Sequence, residues 1–562
     1  MRDARNNRRR RKSAMRKLRL VGTLGSILVL ALSVSACGKS TKVGGTVTVL
    51  FGTAPDSLDP GMAYTTQALE PDQTAYIPMT TYAHVAGVEG GKLIPGLATA
   101  LPTISADGKT YTMTMRPGLV FSNGRPVKAS NFTYGIERAL KIPWGGSSFI
   151  TANIVGAEAY ASGKAKTISG ITANDATGQI TIKLIAPYGA FDNVLAFPSF
   201  APVPKGTPFK NEPTNPPPGV GPYKITRIVP NVSYQVVRNP YWAKEAIPGI
   251  PSGSVDRVIA KISSNTTANA LSVLGNSADV FDFADTIPPS ILSQVPSRAS
   301  GRYEKVIKNS TYYFFLNTKT KPFSSELARQ AVIVGLDRNA IARLGSGFFT
   351  PACYLLPPGI VGHPTSPCPY GDPTKPDLAK AKALVKQSGM AGTPVTVWGE
   401  MRSPRRQFVD YYTSFLNQIG FKATEKIIAD ATYFPTIGNL KLNPQTGFAD
   451  WNEDFPNPID FYGILIAGDA ILPTNNQNFS QVNDPVINAK VNMLGSLYKV
   501  PTSSLKSVES QWQALDEYNA KKAYTAVYGY ASFPKLTSNR LDFNAATLHT
   551  VFGWDWLTFK LK

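Results

Sequence analysis

The stretch FADWNEDFPNPIDF, residues 448–461, concentrates aromatic, acidic and proline residues, and no second loop of this kind accompanies it. Pro456 and Pro458 exclude a helix interior and weaken any strand, so the stretch is predicted to be a loop. Its aromatic side chains would pack while its carboxylates face a partner. A carboxylate beside Trp451 suits a cation, because ion pairing and cation–π attraction act together there. A proline-rich turn that merely closes a strand is the alternative.

The residues on either side of this loop alternate between predicted strands and helices. Strands are predicted at 312–316, 394–398 and 422–428, from their runs of apolar or alternating residues. Helices are predicted from Ser324 or Ser325 through Leu344, from Asp377 to Gly389, and around Arg406 to Gly420, with caps at their ends. This alternation indicates an α/β unit that contains the acidic loop.

The first half of the chain has a different pattern. Strands are predicted at 45–52, 110–115, 178–185, 219–225, 232–238 and 255–262, and one helix is predicted from an N-cap at Ser130 through Leu140. Short strands joined by turns indicate a mixed region rich in antiparallel hairpins. About 525 residues remain after the N-terminal leader, which exceeds one ordinary core and favours two or three lobes.

The N-terminus is predicted to be an export signal. Residues 1–20 contain ten basic residues and one acid, an apolar run follows from Leu20 to Val34, and Ser35-Ala36-Cys37 ends it. This order is that of a signal peptide over residues 1–36, and the apolar run is short for a membrane span. Cys37 after Val-Ser-Ala resembles the bacterial lipobox, which implies a lipidated Cys37. An ordinary signal peptide with a chance cysteine is the alternative.

The basic charge of the chain does not indicate a nucleic-acid partner. Loss of residues 1–36 would lower the formal charge from +21 to +12, because ten basic residues and one acid would leave. The remaining surplus is scattered, without a basic run or an interleaved aromatic platform. A solvated basic surface near anionic lipid headgroups explains it more simply. Gly38 to Gly45 is predicted to be a tether, so residues 37–45 link the lipid to the folded part.

Only Cys353 and Cys368 remain after Cys37. In an exported protein, two cysteines that flank a proline-rich loop predict a disulfide. Such a bridge would stabilise the fold by roughly 3 kcal/mol through loop-closure entropy. A metal site that adds His363 to both thiolates is the alternative, but it lacks a fourth ligand and the usual spacing.

Signatures of catalysis are mostly missing from the sequence. His84, His363 and His549 are far apart, and no HExxH, GxSxG, P-loop or GxGxxG motif is present. The acidic loop could supply a general acid and base, as in glycosidases, but it has no matching second loop. We therefore expect a binding protein rather than an enzyme.

A set of short motifs, in a fixed order along the chain, identifies a family. They are SLDP (57–60), GGKLIPGL (90–97), DGKTYT (107–112), RPGLVFSNGRP (116–126), GVGPY (219–223), NPYW (239–242), LNT (316–318), ARQA (328–331) leading to LDR (336–338), and LPPG (356–359). The chain resembles, nearly end to end after Cys37, the peptide- and nickel-binding solute-binding proteins of ABC transporters, extracellular family 5. No one motif is specific, but the ordered set is.

The resemblance implies a two-lobed α/β fold of the periplasmic-binding-protein type (type II, Venus flytrap), with an additional domain inserted in the first lobe. Lobe I is expected to comprise residues 46–85, 200–305 and 535–562, the inserted domain 86–199, and lobe II 306–534. The lobes close over the ligand, and the permease recognises the closed form.

The resemblance also implies the site residues. In peptide-binding members, the acidic loop carries a Trp and, three residues later, an Asp that grips the peptide ammonium. Here that spacing gives Trp451 and Asp454, with Asp454 capping its own turn as the alternative. Arg402 is the candidate for the ligand carboxylate, chosen over Arg405 and Arg406, with a solvated helix start as the alternative. Tyr64 is the candidate from lobe I.

The expected role is to capture short peptides outside the membrane and deliver them to an ABC permease. We expect a monomer that is anchored as a lipoprotein to the cell membrane, with no cofactor, metal or nucleic acid. Nickel or haem finds no obvious histidine ligand, whereas a sugar or a metal chelate remains an alternative ligand in this fold. A secreted hydrolase and a receptor that signals without transport are the rival functions.

Overall fold

The computed structural model describes residues 44–142, 144–242, 247–496 and 502–562. The predicted signal peptide and the lipidation site at Cys37 lie outside the described residues. In the described part of the chain, no helix has both the length and the apolar character that crossing a bilayer requires.

The described strands are numbered in chain order: β1 Thr46–Phe51, β2 Thr80–Tyr82, β3 Leu93–Pro95, β4 Thr103–Ile104, β5 Thr110–Thr114, β6 Ile171–Ala173, β7 Gln179–Lys183, β8 Tyr223–Val229, β9 Ser233–Arg238, β10 Arg257–Ile262, β11 Val280–Phe281, β12 Tyr303–Leu316, β13 Phe349–Pro351, β14 Pro394–Glu400, β15 Lys422–Ile428, β16 Thr446–Asn452, β17 Thr525–Leu536, β18 Thr547–His549 and β19 Gly553–Asp555.

The described α-helices are numbered in the same way: α1 Thr66–Ala75, α2 Ala129–Lys141, α3 Ser148–Thr151, α4 Ala157–Ala161, α5 Phe191–Val194, α6 Thr266–Leu274, α7 Pro289–Leu292, α8 Val295–Arg298, α9 Glu326–Gly335, α10 Arg338–Leu344, α11 Leu378–Gln387, α12 Arg405–Ile419, α13 Asp430–Ile437, α14 Pro458–Leu465, α15 Pro485–Gly495 and α16 Glu509–Lys521.

Two mixed sheets carry the site. The first sheet has the order β11-β1-β10-β9-β8, and the second has the order β13-β17-β12-β16-β14-β15. In the first, β1 runs parallel to β10 and β11; in the second, β14 runs parallel to β15 and β16. A separate antiparallel sheet, β4-β5-β7-β6, is formed within residues 103–183.

The parallel pairs explain where a site can form. Parallel neighbours end at the same edge of a sheet, and loops at that edge commonly hold ligands. The segments after β1 and β11 therefore lie together at one edge of the first sheet. The segments after β14 and β16 lie together at one edge of the second sheet.

Most predicted elements are present, although some bounds differ: β8 begins at Tyr223 and β12 at Tyr303. Three further differences concern the acidic stretch and the helix caps. The stretch 448–461 is not one loop: β16 runs through Asn452, and α14 begins at Pro458. Proline is tolerated there because the first turn of a helix does not need its N–H, and Asn457 caps the turn. Only the five residues from Glu453 to Asn457 form the connection.

The other two differences concern helix caps. Ser130 does not cap α2, which begins at Ala129; instead the Asn131 side chain accepts a hydrogen bond from Lys128 N at 2.8 Å. The helix predicted through Leu344 is divided into α9 and α10. Asp337 caps α10 by accepting a hydrogen bond from Ala340 N at 3.0 Å, so the chain turns there.

Candidate functional site

A cavity is lined by residues from both sheet edges. The first sheet supplies the segment between β1 and α1, and the second supplies the segments after β14 and β16. The four residues predicted to bind ligand, Tyr64, Arg402, Trp451 and Asp454, all line this cavity. Their roles in binding remain predictions.

Tyr64 and Asp454 meet across the cavity although they are 390 residues apart. The Tyr64 hydroxyl donates a hydrogen bond of 2.7 Å to Asp454 Oδ2. Asp454 Oδ1 accepts no hydrogen bond from the described residues. Burial raises the pKa of Asp454 to about 7, although the hydrogen bond from Tyr64 opposes that rise. The carboxyl group is therefore poorly solvated and has acceptor capacity left for a ligand donor.

Aromatic rings surround this carboxyl group. The Tyr64 ring lies edge-on to Trp451 and to Trp144, with centroid distances of 6.1 and 5.6 Å, and it also packs against Phe197. Such edge-to-face contacts stabilise the cluster beyond the burial of its area. Because the Tyr64 hydroxyl contacts Asp454, these rings form an apolar wall beside its carboxyl group.

Asp460 holds the loop that presents Asp454. Its Oδ2 accepts hydrogen bonds from Trp451 Nε1 at 3.1 Å and from Asp454 N at 2.9 Å. Asp460 therefore fixes both the indole and the loop backbone. The alternative in which Asp454 caps its own turn does not fit, because within the described residues its carboxylate accepts only from Tyr64.

Glu453 is compensated by its neighbours. It accepts a hydrogen bond of 2.9 Å from Asn309 Nδ2 and another from the Thr550 hydroxyl. Burial raises its pKa, while these two bonds and the charge of Lys308 act in the opposite direction. The charge of Lys308 therefore partly offsets that of Glu453.

At the other end of the cavity, Arg405 is fully engaged with carboxylates. Its Nη1 donates to Glu400 Oε1 and its Nη2 donates to Asp450 Oδ2, both at 2.6 Å. The guanidinium also lies over the Phe448 ring, 4.6 Å from the centroid. Although burial alone would lower the pKa of Arg405, Asp450 and Glu400 hold it well above its ordinary value.

Arg402 makes looser ion pairs. Its guanidinium lies 3.5 Å from Asp285 Oδ1 and 3.7 Å from Glu400 Oε1, and its side chain is only 4% exposed. The Arg402 side chain donates no hydrogen bond to any described residue, and Nη1 is buried without a partner. Its backbone N–H donates to Asp430 Oδ1, which fixes the loop. The solvated helix start considered as an alternative is therefore wrong.

Arg406 and the metal site considered at His363 take no part in the cavity. Arg406 does not line the cavity; it pairs with Asp410 and Glu425 on a more exposed surface. In the described part of the chain, no group of three or more histidine, cysteine or acidic residues could hold a metal ion. His363 contacts the Leu356 carbonyl oxygen instead.

Cys353 and Cys368 are joined by a disulfide, with their Cα atoms 6.0 Å apart, and neither lines the cavity. The bridge is therefore a structural feature of the loop and takes no direct part in the site.

Sequence reasoning missed Asp285 and Glu400. Glu400 could have been noted as an acid at the end of β14, close to three arginines. Asp285 carries no such signal, because it follows β11 of the other sheet and meets Arg402 only through the fold.

Residues 92–471 match the sequence profile of the bacterial extracellular solute-binding proteins, family 5, middle region. The chain belongs to this family. The chain is similar to the oligopeptide-binding protein OppA of Bacillus subtilis, with 28% identity over 60% of this chain and 63% of the length of OppA. OppA of Lactococcus lactis is 26% identical over 76% of this chain and 75% of its own length. The match with this chain thus covers less than two thirds of the length of the Bacillus protein.

Solved structures share the fold of this chain. A clavulanic acid biosynthesis oligopeptide-binding protein aligns with a TM-score of 0.78 and 20% identity, over 92% of this chain and 96% of its own. DppA of Helicobacter pylori, solved with the peptide STSA, aligns with a TM-score of 0.77 and 19% identity, over 92% and 98%. The fold is therefore the two-lobed α/β fold expected for this family 5 protein.

Proposed function

We propose that this protein captures short peptides outside the membrane and delivers them to the permease of an ABC importer. The observation that carries the proposal is the Tyr64–Asp454 contact in the cavity. It presents a half-buried carboxyl group, one oxygen of which accepts no hydrogen bond from the described residues, beside an aromatic wall. A peptide ammonium is the natural occupant, because a desolvated carboxylate needs a cation to compensate it.

The relatives support this assignment of ligand class. Both OppA proteins are oligopeptide-binding by name, and the DppA structure contains a four-residue peptide. The cavity lies between residues of both sheets, as is common for the binding sites of small ligands. We propose that the protein performs no chemistry, because the carboxylates Glu453 and Asp460 are already engaged by neighbouring donors.

Native mass spectrometry of the purified residues 38–562 tests the proposal, followed by identification of the small molecule that denaturation releases. One peptide or a set of short peptides supports it. A sugar or a metal chelate would keep the fold and overturn the role of Asp454. An empty protein that hydrolyses an added substrate would favour the hydrolase.

We further propose that Cys37 carries the lipid and that the protein acts as a monomer. We also propose a division into two lobes and an inserted domain. Lobe I comprises residues 46–85, 200–305 and 535–562, the inserted domain comprises residues 86–199, and lobe II comprises residues 306–534. Cys37→Ala tests the anchor: the variant should leave the membrane fraction, and unchanged retention would contradict it. Thiol labelling without reductant tests the bridge, since two reactive thiols would contradict a disulfide between Cys353 and Cys368. Sedimentation of the released domain tests the monomer.

A further inference from the structure

The charges that line the cavity are unbalanced. In the described part of the chain, the lining includes two guanidinium groups, those of Arg402 and Arg405, and six carboxyl groups. The carboxyl groups belong to Asp56, Glu400, Asp430, Asp450, Glu453 and Asp454. A ligand that carries net positive charge would reduce this imbalance, whereas an anionic ligand would increase it.

The two arginines offer little to a ligand carboxylate. Both terminal nitrogens of Arg405 already donate to Glu400 and Asp450 at 2.6 Å. The charge of Arg402 is matched by Asp285 and Glu400 at 3.5 and 3.7 Å. A ligand carboxylate that approached Arg402 would become a third anion around one guanidinium, in a place from which water is largely excluded.

Asp285 is held in this position by the first sheet. It is fully buried, and neither carboxyl oxygen accepts a hydrogen bond from the described residues. Gly52, directly after β1, allows its close approach, because a Cβ at Gly52 would lie 2.1 Å from Asp285 Oδ2. The only cation within ion-pairing distance among the described residues is Arg402. Asp285 therefore acts mainly on Arg402.

Arg402 nevertheless retains unused hydrogen-bond donors. Its charge is compensated, but its side chain donates to no described residue. A neutral acceptor, such as a peptide carbonyl or a terminal carboxamide, can accept from these N–H groups without adding negative charge. This combination of a neutralised charge and unused donors distinguishes Arg402 from Arg405.

We propose that the cavity selects ligands that carry net positive charge and present a neutral hydrogen-bond acceptor, rather than a carboxylate, to Arg402, and that Asp285 sets this preference. The inference rests on the proposed function, because it takes Asp454 as the receptor for the ligand ammonium. To the proposed function it adds the net charge of the ligand and the kind of group that the ligand presents to Arg402, at the end opposite its ammonium.

Calorimetric titration with matched tripeptides tests the inference. The probes are Ala-Lys-Ala and Ala-Glu-Ala, each as the free acid and as the C-terminal amide, at pH 7.5. We expect the amide of Ala-Lys-Ala to bind at least about 10-fold more tightly than its free acid, and both to bind more tightly than the glutamate peptides. This comparison uses the unsubstituted protein and depends on no variant.

Asp285→Asn then tests the residue. The substitution should raise the affinity for the free acid and reduce the acid-to-amide difference to within about 3-fold, while the amide affinity stays nearly constant. Asp279→Asn is the matched control, because Asp279 is also fully buried and lies at the opposite end of β11, away from the cavity. It should leave the acid-to-amide ratio unchanged.

The possible failures are distinguishable. If peptides bind but the free acids bind as tightly as the amides, or more tightly, the inference is overturned and the proposed function stands. If Asp285→Asn folds and leaves the ratio unchanged, Asp285 does not set the preference and that part is overturned. If none of the four peptides binds, the proposed function fails and the inference fails with it.

Discussion

The two ends of the cavity, at Asp454 and at Arg405, differ in how the charged side chain is compensated. At one end Asp454 receives a single hydrogen bond, from Tyr64, and no basic residue forms an ion pair with it in the described chain. At the other end Arg405 is bound by two carboxylates at 2.6 Å each. The charge of Asp454 has no partner without a ligand, whereas the charge of Arg405 is matched without one.

This difference separates binding from stability. A buried ion pair with both partners present is costly to break, because the remaining partner stays charged and unsolvated. A poorly solvated carboxyl group without an ion-pair partner, such as that of Asp454, instead stays protonated until a cation binds beside it. We therefore expect substitutions at Arg405 to affect mainly folding, and substitutions at Asp454 to affect mainly affinity.

Arg405→Met should have the largest effect. It leaves Glu400 and Asp450 buried without their cation, so we expect the free energy of unfolding to fall by about 3–5 kcal/mol. Denaturant unfolding of the ligand-free protein measures this loss. Arg406→Met is the matched control, because its ion pairs are partly exposed, and it should change stability by less than about 1 kcal/mol. Equal losses would show that the cavity pairs are no more important than surface pairs.

Asp454→Asn should weaken binding of a cationic peptide by about 2 kcal/mol or more, equivalent to at least about 30-fold. The reason is that the amide retains the shape of the side chain but removes the charge that meets the ammonium. Calorimetric titration measures the loss, and thermal unfolding of the ligand-free variant should show no destabilisation. If the variant binds the native ligand as tightly as the parent, the assignment of Asp454 is wrong.

The sequence predicted those features of the two ends that depend on nearby positions in the chain. Strand β15 was predicted at its observed bounds, because periodicity and turn residues act over a few positions. Trp451 and Asp454 stand out in the local pattern as an aromatic residue and an acid of one loop, but the resemblance to the family supplied their roles. Tyr64 was found only through the family resemblance. Whether these residues bind ligand stays a prediction.

The remaining features of the site depend on contacts between distant parts of the chain, which no local sequence pattern indicates. Asp285 meets Arg402 from a different sheet, and Arg405 rather than Arg402 makes the short pairs because it lies in the first turn of α12. Asp460 proved to be the support for the acidic loop, a role that its position among four carboxylates did not indicate. The division into lobes and an inserted domain also stays a prediction.

The pH dependence of binding should distinguish the two ends. Because burial raises the pKa of Asp454 to about 7, lowering the pH from 7.5 to 5.5 protonates the free site while the peptide ammonium stays charged. Affinity should therefore fall on the order of 10-fold, with protons released on binding at pH 6.5. Calorimetry in buffers of different ionisation enthalpy measures that release. Asp454→Asn is the control, and a slope that persists in this variant would assign the effect to another group.

Stability of the ligand-free protein should change with pH in the opposite direction. Burial raises the pKa values of Asp285, Asp454 and Asp516 to about 7, above those of the unfolded chain, so the native state holds more protons between pH 4 and 7. Stability is thus greatest at the acidic end of this range, and the contribution of these groups is lost as the pH rises through 7. The melting temperature should fall by roughly 2 °C or more between pH 5.5 and 8. A rise over that interval would contradict the assigned protonation.

Tyr64→Phe should have the smallest effect and tests the contact that joins the two sheets. The substitution removes the 2.7 Å hydrogen bond to Asp454 but keeps the ring against Trp451. Loss of a donor to a carboxylate destabilises its ionised form, so the pH midpoint for binding should move upward, and affinity at pH 7.5 should fall a few-fold, by about 1 kcal/mol. Above pH 8 the affinity of the variant should approach that of the parent at the same pH, because Asp454 is ionised in both proteins and titration of the ligand ammonium affects both equally. A downward shift of the midpoint would mean that Tyr64 competes with the ligand for Asp454 instead of preparing it.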